Sequence, residues 1–417
     1  MKTDFQKPEI LAPAGDREKL EAALRFGADA VYLAGKRFGM RQAAGNFTPE
    51  ELESAARHVH SRGAKIYLTL NTLPHTGEYQ ALRDFIAQTL STDIDGFIVT
   101  DLGVLSLLRE LRPDAKIHVS TQASVCSVEA ARGWAKLGAS RLVLARELTL
   151  DEIAEIREGL PDSVELEVFV HGSMCVSYSG RCLLSNMLNS RDANRGECSQ
   201  PCRWNYTLVE EKRPDMRIPI EETELGTFVM SSKDLCLIES VGRLAAAGVS
   251  SFKIEGRVKS AYYAAVVTNA YAIAVRELGR FVSAGGAPED YLPAPELMRE
   301  LESVSHREYC TGFLYDDPAV CANTVSSPGY IRDKAYLASA LAGASAGEPA
   351  LFIQKNKISS GDRAELLTPG QTGKSFTVGG MTDGEGAPVT SAPHPGMRFY
   401  TALPFPVRAG DIIRAAD

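Results

Sequence analysis

The sequence predicts an α/β protein. Its N-terminal domain is a (β/α)8 barrel-like unit with a long cysteine-bearing insertion after strand 7, and a small C-terminal all-β barrel follows. Three observations carry this expectation. Eight short β-branched runs alternate with helical patterns as far as Arg257. The seventh run opens into a long connection holding four cysteines. Beyond Pro328 the pattern changes to short strands separated by turn signals.

The eight runs are EILAPA (9–14), AVYLA (30–34), KIYLTLN (65–71), GFIVTD (96–101), KIHVSTQ (116–122), RLVLAR (141–146), LEVFVHG (166–172) and SFKIEGR (251–257). Between them, segments such as REKLEAALRFG (17–27), PEELESAARHVHSRG (49–63) and LDEIAEIREGL (150–160) carry apolar residues at helical spacing. Such alternation implies right-handed βαβ units and a parallel sheet. Eight units suit a closed barrel, with a doubly wound open sheet as the other architecture. The expected limits are 1–284 for the barrel, including a cysteine insertion at 171–228, then a helical linker at 285–328 and a β-barrel at 329–417. The last rests on ALFIQKN, SSGDRAELL, KSFTVGGM, APVTSA, GMRFYTAL and AGDIIRA, broken by Gly-Asp and proline turns.

Composition narrows the class. The 417 residues are 44% hydrophobic and 24% charged, as in ordinary globular proteins. No run of eighteen apolar residues offers a membrane span, and MKTDFQKPEILAPAG lacks the apolar core of a secretory signal. A cytoplasmic location is therefore expected, where thiols stay reduced. The net charge of −8 gives no global nucleic-acid signature, although a local basic surface is compatible with it.

The stretch CVSYSGRCLLSNMLNSRDANRGECSQPC (175–202) holds four of the eight cysteines at C-x6-C-x15-C-x3-C spacing. In a reducing compartment that pattern points to metal rather than to disulfides. Structural zinc favours C-x2-C pairs on both halves, and only Cys198 and Cys202 are close here. Four thiolates on a flexible loop suit a 4Fe–4S cluster better. Zinc and unliganded or catalytic thiols remain as alternatives. Cys236, 34 residues past Cys202, is an alternative fourth ligand. Cys126, Cys310 and Cys321 stand singly and read as small buried hydrophobes.

In a barrel, reactive groups collect at the C-terminal ends of the strands. Candidates there are Asn71, Asp101, Gln122, Arg146, Glu147, His171, Glu255 and Arg257, with Lys259 just beyond and His75 weaker. His171, before the cysteine loop, is suited to moving a proton or to bonding a ligand. Arg146–Glu147 and Glu255–Arg257 could equally be structural ion pairs. No G-x-G-x-x-G follows a strand, no facial-triad pattern is present, and no H-E-x-x-H occurs.

At EVFVHGSMCVSYSGRCLLS (167–185) the chain resembles the collagenase-like peptidase family. The likeness extends through ILAPAGD, GADAVYL (27–33), SRDANRGECSQPCRW (190–204), MSSKDL (230–235), SFKIEGRVKS (251–260) and QKNKISSGDRAELLTPG (354–370). Within the family it is most similar to the prephenate-dependent tRNA uridine hydroxylases. That resemblance implies a 4Fe–4S cluster on Cys175, Cys182, Cys198 and Cys202. It also implies prephenate as co-substrate and an oxygen-independent conversion of the wobble uridine to 5-hydroxyuridine. The implied partner is the tRNA anticodon loop, with a homologous chain or a second copy as a further possible partner. Prephenate, a dicarboxylate, calls for forked cations, which Arg146 and Arg257 would supply beside Glu255 and His171. Arg181, Arg191, Arg195, Arg203, Lys212 and Arg213 are candidate phosphate contacts, with Lys355, Lys357 and Arg363 as a second set. Competing readings are a ribosomal RNA hydroxylase, a peptidase using Cys175 with His171, and a zinc-stabilised RNA-binding protein.

Overall fold

The computed structural model describes residues 5–42, 44–175, 177–204, 207–210, 213–219, 232–315, 330–331 and 334–416. Seven parallel strands, β1 (Glu9–Pro13), β2 (Ala30–Ala34), β3 (Lys65–Leu70), β4 (Gly96–Val99), β5 (Ile117–Val119), β6 (Ala139–Val143) and β7 (Glu165–Ser173), lie side by side in chain order. A hairpin of β8 (Thr207–Glu210) and β9 (Arg213–Pro219) and a short β10 (Asp234–Cys236) follow. The eighth barrel strand, β11 (Ser251–Ile254), pairs in parallel with both β7 and β1. That double pairing closes the sheet and removes the open-sheet alternative.

Helices α1 (Arg17–Arg25), α2 (Pro49–Ser61), α3 (Tyr79–Gln88), α4 (Leu102–Leu111), α5 (Val128–Lys136) and α6 (Leu150–Glu158) each follow one strand. After the cysteine-bearing α7 (Leu184–Asn189), α8 (Val241–Ala246) precedes β11 and α9 (Ala261–Ser283) follows it. Local signals start these helices. Asp16 caps α1 by accepting from Lys19 N at 3.0 Å, and Thr48–Glu51 and Thr149–Glu152 form capping boxes on α2 and α6. The strands are buried on both faces, as a parallel sheet under helices requires; β2 and β4 are buried at every position.

Several elements have no counterpart in the expectations, β10 and a further strand among them. β10 pairs antiparallel with the end of β7 and in parallel with β12 (Tyr309–Cys310). The strand Tyr336–Ala340 joins the C-terminal sheet. Both are too short or too small in side chain to show a period, and pairing with longer neighbours orders them. β7 also runs to Ser173, so His171 belongs to the strand rather than to the insertion; Phe228 lies outside the described residues.

The C-terminal part is an eight-stranded antiparallel half-barrel around Phe352, Phe399, Leu366 and Ile413. Arg414, 2% exposed, ties it to the barrel domain. Its guanidinium donates to Glu365 and to Glu300 of α10 (Glu296–Glu302), both at 2.7 Å, and to Ser303 at 2.8 Å. Among the described residues no helix is long and apolar enough to cross a membrane. Arg414→Ala would leave the nearly buried Glu300 carboxylate without its cation, while Glu365 keeps Lys334 at 2.7 Å. We expect it to cost about 3–5 kcal/mol in urea unfolding, against a wild-type control.

Candidate active site at the barrel mouth

Barrel closure gathers the C-terminal strand ends around a pocket of about 540 Å³ that is open to solvent. Residues 253, 255 and 257 alternate into it from β11 and the turn beyond, opposite Tyr32, Thr69, Gln122 and Arg146. Lys253 forms the floor, donating to Glu167 at 2.6 Å with its ammonium 4.6 Å from the Tyr32 ring centre.

Arg257 is 2% exposed, and its Nη1 donates to Thr69 Oγ1 at 3.0 Å. Its Nη2 is buried without a partner, and so is Gln122 Oε1. Burial pulls the Arg257 pKa down to about 10. An arginine held this deep without a carboxylate is a prepared anion contact. Gly15 permits its backbone position: a Cβ there would lie 1.9 Å from Arg257 O.

Glu255, 7% exposed, accepts from Arg41 Nε at 3.3 Å. Neither ion pair weighed from sequence, Arg146–Glu147 or Glu255–Arg257, is among the salt bridges of the described residues. Arg41 was not a sequence candidate. It sits in GKRFGMRQAAG, a glycine-rich loop after β2, and glycines after a strand end were the available signal. Burial works to lower its pKa, but Glu255 and then the Cys175 thiol outweigh it and leave the guanidinium firmly charged.

The cysteine loop is fastened to this rim. Arg146 donates from Nη1 to Ser173 O at 2.8 Å and from Nη2 to Ser179 Oγ at 2.6 Å, with Cys175 Sγ 3.6 Å away. Gly180, at φ +80°, lies where a Cβ would meet Gln122 O at 2.4 Å. Gln42 N donates to Gly196 O at 3.2 Å and Asn194 Nδ2 to Cys182 O at 3.2 Å. All seven described cysteines are free thiols. Burial raises the Cys202 pKa, and Cys175, Cys198 and Cys182 add to that, so the four thiols share one electrostatic neighbourhood. Among the described residues no three or more His, Cys, Asp or Glu side chains are arranged to hold a single metal ion.

Cys236 does not join them. It is buried in β10 against Tyr271, and burial pushes its pKa up to about 12. Cys126 is exposed on the loop before α5, not a core hydrophobe, because the chain leaves the barrel there; Cys310 is half-buried, and Cys321 lies outside the described residues.

His171 is likewise not brought to the pocket. Phe169 lines the pocket, so simple alternation would send His171 there too. However, Phe169 pairs with Lys253 and His171 with Ile254, which makes Val170 an extra residue in β7. This bulge turns His171 outward into a box of Tyr263, Tyr271 and Tyr309, with ring centres 5.9, 5.7 and 5.2 Å away.

Asp101 caps α4, accepting from Gly103 N and Val104 N. Asn71 spans the rim, accepting from Met40 N at 3.1 Å and donating to Ser120 Oγ at 3.3 Å. Glu147 lies off the pocket, and burial raises its pKa. His75, Arg181, Arg191, Lys357 and Arg363 are exposed, while Arg195 pairs with Glu78 and Lys355 with Glu18. Lys259 donates to Ser305 O. Lys212 and the Arg213 side chain lie outside the described residues.

The fold is a closed barrel with a cysteine loop fastened to the rim of its mouth. Residues 15–324 match the peptidase family U32 model and residues 336–414 the peptidase family U32 C-terminal domain model. This chain belongs to peptidase family U32. It is 34% identical to tRNA hydroxylation protein P of Escherichia coli K12, over 95% of this chain and 94% of that one. Identity to tRNA hydroxylation protein P1 of Bacillus subtilis 168 is also 34%, over 94% and 90% of the two chains. The 23S rRNA 5-hydroxycytidine C2501 synthase of Escherichia coli K12 is 38% identical over 65% of this chain and 40% of its own length.

Burial holds the His171 pKa at about 3, against 6.5 in the unfolded chain. Between those values the unfolded state binds more protons. The stability from neutral His171 is therefore complete above pH 6.5 and falls as the pH drops toward 3, by about 1 kcal/mol per unit. His171→Phe is expected to lose that part of the acid sensitivity, read as a shallower fall of the urea midpoint between about pH 6.5 and 4.5.

Proposed function

We propose that this chain is a tRNA hydroxylase that converts the wobble uridine to 5-hydroxyuridine without molecular oxygen, using prephenate and a 4Fe–4S cluster. The observation that carries this reading is the joining of two sites by Arg146. On one side is a loop with four neighbouring thiols, and on the other a pocket with a buried, partly unbonded arginine. Matches to tRNA hydroxylation proteins over nearly the whole chain, half-barrel included, favour tRNA over ribosomal RNA.

Cys175, Cys182, Cys198 and Cys202 would hold the cluster, which when bound supplies one-electron and Lewis-acid chemistry at the rim. Arg257 Nη2 would take one carboxylate of prephenate, and Arg41, which lines the same pocket, a second. Burial of Arg257 keeps its forked contact strong. Glu255 would accept or return the proton at the pocket, its carboxylate oriented by Arg41 Nε. Arg146 holds the thiol loop against the pocket and is better described as a positioning residue. The reaction would run in the reducing cytoplasm, with the anticodon loop splayed into the mouth as single-stranded bases are read. A homologous chain or a second copy is a possible further partner.

The peptidase reading needs His171 beside Cys175. The Val170 bulge aims that histidine away from the pocket, and Arg146 Nη2 lies 3.6 Å from Cys175 Sγ.

Nucleoside mass spectrometry on bulk tRNA tests the assignment. Deletion of the gene should remove 5-hydroxyuridine and its derivatives, and the intact gene should restore them while Cys175→Ala does not. Unchanged tRNA, with no related gene covering the loss, would sink it. In anaerobic kinetics, Arg257→Lys should raise KM for prephenate about 10- to 100-fold with the visible spectrum intact, the size of a lost charged hydrogen bond.

A further inference from the structure

The turn that carries Cys202 continues into a surface that the proposed chemistry does not use. Pro201–Arg203 forms a single 3-10 turn, and Trp204 follows it at 44% exposure. Arg203 Nη1 donates to Gln200 Oε1 at 2.9 Å and to Tyr330 Oη at 3.0 Å. Tyr330 is itself 41% exposed, and Lys259 Nζ stands 4.5 Å from its ring centre. Arg203 thus holds Tyr330, and Trp204, the next residue in the chain, faces solvent as Tyr330 does. Among the described residues neither Arg203 nor Lys259 takes part in a salt bridge, although the chain carries an excess of acidic groups.

We propose that Trp204 and Tyr330 form a stacking platform for single-stranded RNA bases flanking the modified nucleotide, with Arg203 and Lys259 serving the adjoining phosphates. This rests on the tRNA reading above and deepens it. Exposed aromatic faces beside cations held outside any salt bridge are what sequence-tolerant single-strand binding uses, since every base offers a π-face. The position suits the task. Trp204 stands two residues after the Cys202 thiol, in the cysteine loop that Arg146 fastens to the barrel mouth. A protein partner is the competing occupant, because Leu183, just before α7, and Met187 and Leu188 on it are exposed, and α7 packs against the same turn. The cations and aromatics favour RNA, since an aliphatic ridge alone would not need them.

The test uses the full-length, cluster-loaded protein with Trp204→Ala, Tyr330→Ala and the conservative Trp204→Phe. Each alanine variant should raise KM for tRNA about tenfold, toward the lower end of what one stacked base supplies. KM for prephenate, the visible spectrum and the urea midpoint should stay at wild-type values, and Trp204→Phe should recover most of the loss. Trp204 fluorescence should be quenched by an anticodon stem-loop and not by a duplex of equal length. Wild-type tRNA affinity in both alanine variants would overturn the platform while leaving the hydroxylase standing. Unchanged RNA affinity with lost self-association in sedimentation would overturn it in favour of a protein interface. If the parent protein itself neither binds nor modifies tRNA, the platform falls together with the reading on which it rests.

Discussion

Glu167 lies inside the barrel with no solvent exposure, and two cations reach it from neighbouring strands. Lys253 of β11 stands at 2.6 Å and Arg141 of β6 at 3.0 Å. Arg141 continues to Glu9 of β1 at 2.6 Å. Burial pulls the Lys253 pKa down and would raise that of Glu9, but Arg141 outweighs burial at Glu9 and keeps its carboxylate ionised. A charge this deep is tolerable only when paired, so the layer admits one register at the closing seam. Shifting β11 by one residue would send Lys253 to the helix side and bury Ile254 against Glu167. Everything at the mouth depends on that register, because the same alternation carries Glu255 and Arg257 into the pocket.

The bulge at Val170 uses this seam. Below it, Phe169 and Lys253 both face the pocket; above it, His171 and Ile254 face the helices. The extra residue also lets β7 run on as a partner for β10. The strand thereby delivers Ser173 to Arg146 and the thiol loop to the rim. A loop of this length would otherwise have many conformations to lose. Docking on the loops after β2 and β5, through Gln42 and Gln122, replaces that freedom with a few specific contacts.

The half-barrel is attached away from the mouth by a similar device. Arg414 meets Glu300 and Glu365, Arg25 meets the fully buried Asp411, and Asn269 of α9 exchanges hydrogen bonds with Gly370 and Gln371. These contacts are charged or amide pairs, and such pairs are directional. They orient the second domain as well as holding it.

Much of the architecture was legible in the sequence. Eight β-branched runs, capping boxes at Thr48 and Thr149, and the change of pattern after Pro328 are local features, and local physics decides them. The four-cysteine stretch was legible for the same reason, since spacing along the chain is preserved in any fold. Arg257 could be named from its place after the eighth run. Three things were settled only by tertiary structure. Arg41 enters the site because a glycine-rich loop folds over the mouth. Cys236 leaves the ligand set because β10 pairs into the sheet and buries it. His171 turns away because one added residue in β7 reverses its face. Each depends on pairing between segments far apart in sequence, and a one-residue change in register leaves composition and periodicity nearly untouched while exchanging the inside for the outside.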